Sequence, residues 1–307
     1  MKTPKHLPKT ALSLIIGSIA LPGASFGAAL NLAQYPAGTA STLPAPNVIV
    51  SVDNSGSMGA AGMLALRNAL STAFAPGVMP DGAIRIAYQS MWRCNTIPST
   101  HADCAVGGVP QNTMRELTGP VTTTDPSSRG QFYRWISTLA ADAGTPTHQM
   151  MYNAGEYLKT TGASSPWNAV PGTPDPAPET CRRSYNILMT DGGWNNYDGT
   201  TQALINAAAI GNIDGTAKTF PDGIAYDPTS NETRIYQDAF GDFGASPRKP
   251  TVSDMAFHYW SQDLQPTIAN NLSPQIKKSG SETFFDGATS QTISEYWNPK
   301  KDRKSVV

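Results

Sequence analysis

The stretch Pro-Asn-Val-Ile-Val-Ser-Val-Asp-Asn-Ser-Gly-Ser-Met-Gly, residues 46–59, decides the fold of this chain. Its first part, Asn47–Val52, is apolar and β-branched apart from Ser51, which is typical of a strand buried on both faces. A proline precedes this strand and a glycine-containing turn follows it, as expected at strand boundaries. The pattern therefore predicts a central parallel strand of an α/β fold.

The turn after this strand carries oxygen-bearing side chains at alternate positions. In an extended turn, the carboxylate of Asp53 and the hydroxyls of Ser55 and Ser57 would converge on one point. A set made only of oxygen ligands suits Mg²⁺, with Mn²⁺ and Ca²⁺ as alternatives. Short Ser/Asp/Gly runs also form ordinary turns. The metal interpretation is favoured here because open α/β sheets bind ligands at the carboxyl ends of their strands.

Residues 1–29 have the composition of a secretory signal peptide. Three lysines precede an apolar segment at 11–21 that is too short to cross a bilayer, and small residues follow, with cleavage expected after Gly27 or Ala29. A permanent membrane anchor is the alternative interpretation. We expect an exported protein with no membrane span after cleavage, a linker at 30–45 and a domain at 46–301.

The composition bounds the partners of the domain. The formal net charge of the whole chain is −1, and removing the three signal lysines makes it −4, with no basic cluster that would suit a nucleic acid. The mature part, about 280 residues, is long enough for one elaborated domain. The 27 glycines and 25 prolines predict many loops around a modest core.

The cysteines predict one disulfide. Cys94 and Cys104 are ten residues apart in a loop that reaches an oxidising compartment, so we expect them to pair. Zinc binding together with His101 is the competing interpretation, although the spacing fits no common zinc site. Cys181 is left over, either as a free thiol or as a partner of another cysteine.

The rest of the chain alternates between helical and extended patterns. Apolar spacing predicts helices at 62–74, 127–139, 148–158 and 251–264, and strands at 83–91, 114–121 and 184–189. The Met and aromatic stripe of the last helix is expected in the core. Residues 160–180, with five prolines, are expected to form an irregular surface excursion. No apolar run after Gly192 suggests another strand of the sheet, so the strand at 184–189 is expected to have an unpaired edge.

At these loops the chain resembles the von Willebrand factor A family, whose metal-ion-dependent adhesion site opens with Asp-x-Ser-x-Ser. The resemblance implies a Rossmann-like, doubly wound, mostly parallel sheet with long loop insertions. It also implies that the Gly-Thr-Pro-Thr turn at 144–147 and the Thr-Asp-Gly-Gly turn at 190–193 complete the site. The implied metal ligands are Asp53, Ser55, Ser57, Thr145 and Asp191. Thr147 is then expected to cap the following helix.

A narrower resemblance comes from the flanking stretches. The segments at 32–36, 45–53, 253–266 and 297–300 are similar to the N-terminal region of the PilY family of type IV pilus biogenesis factors and tip adhesins. Members of that family continue into further A-domain strands and a β-propeller, so the domain is expected to be incomplete at its C-terminus. Residues 302–307 match one reading frame of a sequencing-library adapter and are expected to be non-native; an ordinary charged tail is the alternative.

The resemblance implies a binding protein and not an enzyme. The expected partners are pilins, especially minor pilins, and host or abiotic surfaces, each recognised through a carboxylate at the metal. The expected location is the periplasm or outer membrane, the cell surface or the pilus tip. The alternatives are an A-domain adhesin unrelated to pili and a metal-assisted hydrolase subunit. The sequence places no nucleophile beside a base and contains four histidines, one of them in the signal segment.

Overall fold

The structure is a computed structural model that describes residues 44–170, 172–175, 178, 180, 182–195, 199–211, 213–220, 225–229, 250–269, 278–285 and 290–296. The predicted signal segment, the predicted tail, the 297–300 stretch and Cys181 lie outside the described residues.

The described chain contains α-helices, strands and short 3₁₀ turns. In order, the helices and strands are β1 (Asn47–Val52), α1 (Gly59–Ala73), β2 (Arg85–Ser90), β3 (Ala105–Val106), β4 (Val109–Pro110), β5 (Arg115–Glu116), α2 (Ser128–Thr138), α3 (Thr147–Lys159) and β6 (Ser184–Met189). The later elements are α4 (Gly199–Ala207), β7 (Lys218–Thr219), β8 (Ala225–Tyr226), α5 (Val252–Trp260), β9 (Lys278–Phe285) and β10 (Ser290–Tyr296).

The predicted strand β1 lies inside a mostly parallel sheet. Among the described residues the strand order is β5-β2-β1-β6. β1 pairs in parallel with β2 on one side and with β6 on the other, while the short β5 pairs antiparallel with β2. All six residues of β1 are buried, as its near-continuous apolar sequence predicts.

Helices cover both faces of the sheet, because successive residues of a buried strand point to opposite sides. Val48, Val50 and Val52 of β1 belong to the core formed with α1 and α2. Ile49 belongs to the core formed with α3, α4 and α5. This is the doubly wound α/β arrangement that the resemblance to the A family implies.

The helix α5 packs closely on α3, with its aromatic stripe in the core as predicted. Met255 and Tyr259 are buried against α3, and a Cβ added at Gly155 would overlap the ring of Tyr259. A residue without a side chain is therefore needed at the point where the two helices meet. Phe257 and Trp260 form a separate aromatic cluster with residues near β7 and β8.

Several predicted boundaries change in the structure. The first helix begins at Gly59 and not at residue 62, because a 3₁₀ turn at Gly56–Met58 leads directly into it. The predicted strand 114–121 is reduced to the two residues Arg115–Glu116. A turn with Gly119 at φ 97° and the following proline, which has no N–H to donate, end the strand early.

Among the described residues no further strand joins the sheet after Gly192, as predicted, but strands outside the sheet were not expected there. The structure contains two antiparallel hairpins there, β7–β8 and β9–β10. Hairpins form between neighbouring segments and do not need the long apolar run on which the prediction depended. Among the described residues neither hairpin pairs with β6, whose outer edge leaves Ile187 43% exposed.

Candidate metal site at the carboxyl edge of the sheet

The carboxyl edge, where β1, β2 and β6 end, carries the predicted ligand residues. Asp53 directly follows β1, and its backbone N–H donates to the carbonyl of Met189 at 2.7 Å, which extends the β1–β6 pairing by one bond. The side chain of Asp53 is fully buried. A carboxylate is thus placed beneath the loops that follow the strands.

Two hydrogen bonds hold this carboxylate. The Ser55 backbone N–H donates to Asp53 Oδ1 at 2.8 Å, and the hydroxyl of Thr190 donates to Asp53 Oδ2 at 2.7 Å. Because a carboxylate oxygen has two lone-pair positions, each oxygen keeps capacity for another partner. The two bonds therefore fix the orientation of Asp53 without using all of its ligand capacity.

The two serine hydroxyls of the motif lie side by side. Ser55 Oγ and Ser57 Oγ are 2.9 Å apart; Ser55 is buried and Ser57 is exposed. The convergence was predicted for an extended turn; Ser55 is extended, but Ser57 lies in the 3₁₀ turn that follows. A buried carboxylate and a solvent-facing hydroxyl therefore belong to one short loop.

The second loop is held against the first by backbone hydrogen bonds. Asp142 N–H donates to the carbonyl of Asn54 at 2.7 Å, and Gly56 N–H donates to the carbonyl of Ala143 at 2.8 Å. A Cβ at position 56 would lie 3.0–3.1 Å from the carbonyl oxygens of residues 142 and 143, so glycine permits this close approach. Thr145, which follows in the same loop, is 3% exposed.

The role predicted for Thr147 is wrong. The N-cap of α3 is Pro146, which makes no side-chain capping bond, and Thr147 is the first residue of the helix. Its buried Oγ1 has no hydrogen-bond partner among the described residues. A buried hydroxyl without a partner beside Thr145 is a further oxygen available to a ligand.

The third loop contacts both others, although not through its predicted ligand. Thr190 binds Asp53, as described above. Asn195 exchanges two bonds with Thr145: its Oδ1 accepts from Thr145 N–H at 2.6 Å, and its N–H donates to the Thr145 carbonyl at 3.0 Å. Asp191 is exposed and makes no hydrogen bond or ion pair with any residue that the structure describes.

The donor set fits a hard divalent cation. Its side chains offer carboxylate and hydroxyl oxygens, which Mg²⁺ prefers. The 2.9 Å between Ser55 Oγ and Ser57 Oγ matches the spacing of about 3 Å between adjacent ligands of an octahedron with bonds of about 2.1 Å. No group of three or more His, Cys, Asp or Glu side chains that could hold a metal occurs within the described ranges, so a site here depends on hydroxyls.

Three residues of the site were not predicted from the sequence: Asn54, Thr190 and Asn195. Asn54 is buried, its Nδ2 donates to the carbonyl of Ala140 at 3.2 Å, and its Oδ1 accepts from Trp92 N–H at 3.0 Å. The only sequence signal for Asn54 and Thr190 is that each adjoins a predicted ligand. Asn195 carries no such signal, because it lies 50 residues from its partner.

The predicted disulfide is confirmed. Cys94 and Cys104 are bonded, with their Cα atoms 5.9 Å apart, and both side chains are fully buried. Because the two sulfurs bind each other, they are not thiolate ligands, and the zinc alternative with His101 does not hold. The bond closes the loop that follows β2 at the carboxyl edge.

The described helices include none that is both long enough and apolar enough to cross a membrane.

Two curated relatives align with most of this chain. The type IV pilus biogenesis factor PilY1 of Pseudomonas aeruginosa strain PAO1 is 36% identical over 241 residues, and that of strain PAK is 35% identical over 243. Each alignment covers 78% of this chain and 17% of the relative, so the chain spans about a sixth of the length of these proteins. No family model matches the chain.

Two solved structures from Porphyromonas gingivalis show weak similarity. The vWF domain of the type V pili tip protein Mfa5 is 16% identical, with 50% of this chain and 40% of that chain covered and a TM-score of 0.28. A structure of three N-terminal domains of Mfa5 is 15% identical, with 62% and 29% covered and a TM-score of 0.26.

Proposed function

Since this chain belongs, over the 241 residues that align, to the family of the type IV pilus biogenesis factor PilY1, we propose that its A-type domain binds partners through a divalent cation in type IV pilus assembly and surface attachment. The observation that carries the proposal is the meeting of three loops around Asp53. The first loop carries Asp53 and the adjacent hydroxyls of Ser55 and Ser57, the second is hydrogen-bonded to the first through Asn54 and Gly56, and the third holds the carboxylate through Thr190.

Five residues would hold the cation: Asp53, Ser55, Ser57, Thr145 and Asp191. When bound, the cation supplies a Lewis-acidic position that accepts a carboxylate from a partner. Ser57 and Asp191 are exposed, so a partner can approach from their side. Asp53 is buried and held by two donors, so it keeps its orientation while a partner binds.

The proposed partners are pilins, above all minor pilins, and host or abiotic surfaces that present carboxylates. The proposed location is outside the cytoplasm, in the periplasm or outer membrane, at the cell surface or at the pilus tip. An A-domain adhesin unrelated to pili would share the same cation chemistry but would not bind a pilin.

A binding role suits the surroundings of the site better than hydrolysis. His148 is buried with its Nε2 2.8 Å from the carbonyl of Pro250. His258 lies in α5 against the ring of Tyr259. The imidazoles of His148 and His258 are thus each engaged with neighbouring groups of the helical layer.

The cation site can be tested by calorimetry with MgCl₂. We expect wild type to bind Mg²⁺ and Asp53→Ala to show no binding, because the substitution removes the buried carboxylate. Glu116→Ala is the matched control: it removes one exposed carboxylate and changes the net charge by the same amount. Equal binding by wild type and Asp53→Ala would contradict the proposed site.

The partner can be tested with purified minor pilins. Binding to the wild-type chain should be lost in EDTA, return with Mg²⁺ and be absent for Asp53→Ala. Binding that persists in EDTA would argue against recognition through a cation. Cation-dependent binding to an abiotic or host surface, without binding to any pilin, would favour the adhesin unrelated to pili.

A further inference from the structure

We infer that Trp92 is a positioning residue of the metal site, which holds the second metal loop in place for ligation by Thr145. The inference rests on the proposed function, because it concerns how the same site is built. Trp92 lies just after β2, so it reaches the site from the strand that contributes no predicted ligand.

Trp92 donates two hydrogen bonds to the other loops. Its indole Nε1–H donates to the carbonyl of Gly144 at 2.6 Å, and its backbone N–H donates to Asn54 Oδ1 at 3.0 Å. Gly144 directly precedes Thr145, and Asn54 lies between Asp53 and Ser55. One residue therefore connects the Asp-x-Ser-x-Ser loop with the loop of the threonine.

Trp92 is itself held firmly in the turn that follows β2. Its carbonyl accepts from Ser90 Oγ at 2.7 Å and from Cys94 N–H at 2.9 Å. Cys94 is fixed in turn by the disulfide to Cys104. A residue whose backbone is anchored in this way can hold a neighbouring loop, because its backbone cannot move outward with that loop.

The second loop depends on such bonds for its position. Ala143 is exposed and Gly144 has no side chain, so neither can anchor the loop through apolar packing. An additional ion pair between Arg93 Nε and Asp142 Oδ2, 3.2 Å apart, lies at the surface with the Arg93 side chain 45% exposed, and pairs of that kind contribute little. The bond from the indole to Gly144 is thus the closest side-chain support of the residue before Thr145.

The test compares two tryptophans that each donate one indole hydrogen bond to a carbonyl. Trp92→Phe removes the bond to Gly144 and keeps an aromatic ring. Trp167→Phe is the matched control, because Trp167 Nε1 donates to the carbonyl of Leu158 at 3.2 Å, in a buried region away from the metal loops. The measurements are Mg²⁺ affinity by calorimetry, amide hydrogen exchange without Mg²⁺ and the melting temperature, all on the full chain.

For Trp92→Phe we expect Mg²⁺ affinity to fall about tenfold, as is typical when a residue behind a metal ligand is lost, and the amides of residues 142–147 to exchange faster. For Trp167→Phe we expect a lower melting temperature with unchanged Mg²⁺ affinity.

If wild type binds Mg²⁺ and Trp92→Phe binds it with the same affinity, the inference about Trp92 is wrong while the proposed function stands. An equal loss of affinity in both variants overturns the inference as well, because the effect would then be general loosening. Absence of Mg²⁺ binding by wild type would overturn the proposed function and this inference with it.

Discussion

Charged side chains are buried at both edges of the sheet, and the loops around them provide partners in different ways. At the amino edge, where β2 begins, Arg85 is 1% exposed. At the carboxyl edge, Asp53 follows the end of β1 and is fully buried. Both are enclosed by loops; those around Asp53 carry the exposed hydroxyl of Ser57 and the exposed side chain of Asp191.

At the amino edge the loop closes over the charge. Arg85 donates to Asn47 Oδ1 at 3.2 Å, to the carbonyl of Pro166 at 3.0 Å and to that of Asn168 at 2.6 Å. Trp167, between these two carbonyls, is fully buried. Burial lowers the pKa of Arg85 to about 10, and Arg182 adds to this effect, so Arg85 stays charged at neutral pH.

At the carboxyl edge the loops leave side-chain oxygen atoms available to a ligand. Asp53 accepts one backbone and one side-chain bond, and the neighbouring hydroxyls of Ser55 and Ser57 have mainly each other. A buried charge such as that of Arg85 is a structural feature, because the chain supplies acceptors for both terminal nitrogens, although Nε has no hydrogen-bond partner among the described residues. A buried charge becomes a candidate binding group when some of the adjacent oxygens are left to solvent.

The largest effect on stability is expected at the amino edge. Arg85→Met should lower the free energy of unfolding by about 2–4 kcal/mol, because two buried carbonyls lose their donor. Urea denaturation should show the loss, while Mg²⁺ affinity measured by calorimetry should stay at the wild-type value.

Arg115→Met is the matched control for this prediction. Arg115 also donates three hydrogen bonds, to Thr113, Gln111 and Pro110, but it is only partly buried. Its substitution should cost less than about 1 kcal/mol, as for other surface positions. If both variants lose a comparable amount of stability, or if Arg85→Met changes Mg²⁺ affinity, the two edges do not differ in the way described.

At the carboxyl edge we expect a smaller loss of stability together with weaker Mg²⁺ binding. Thr190→Val keeps the shape of the side chain and removes the hydroxyl that donates to Asp53 Oδ2. We expect a loss of about 1 kcal/mol in stability and about tenfold weaker Mg²⁺ binding. Thr138→Val, which removes a hydroxyl bonded to the carbonyl of Trp135 at 2.8 Å, should leave Mg²⁺ binding unchanged. If Thr190→Val binds Mg²⁺ as well as wild type, the bond to Asp53 does not support the site.

A pH-dependent effect on stability is expected at His258, in the helical layer that packs on the sheet. Burial, together with Lys159 and Lys218, lowers the pKa of His258 to about 4, while Glu156 acts in the opposite direction. A base whose pKa is lower in the folded state stabilises the fold above its unfolded pKa of about 6.5. That contribution is lost as the pH falls through about 4.

Urea denaturation of wild type at pH 7, 5.5 and 4.5 should therefore show falling stability, and His258→Gln should show a shallower fall. If the free energy of unfolding falls with pH equally steeply in the two proteins, groups other than His258 cause the loss of stability, for example those at the carboxyl edge.

Much of the fold could be predicted because its signals are local. The β-branched run of β1 and the apolar spacing of α1 and α5 depend on residues within one element, so their existence was predicted and only their ends moved. The disulfide was likewise predictable, since ten residues separate its cysteines. The hairpins β7–β8 and β9–β10 were not predicted, because hairpin strands pair between neighbouring segments and do not require a buried apolar run.

By itself, the sequence determined the order of β1, α1, β2, α2, α3, β6 and α5 and the chemistry of the Asp-x-Ser-x-Ser turn, because these follow from side-chain type and short-range spacing. Only the tertiary structure decided what holds that turn. Thr190 reaches Asp53 across 137 residues, and Trp92 reaches Gly144 across 52. Thr147 could not be distinguished from a cap until the start of α3 was known. Such contacts form because parallel strands bring distant loops to one edge of the sheet. The local sequence of each loop does not predict which side chains then come into contact.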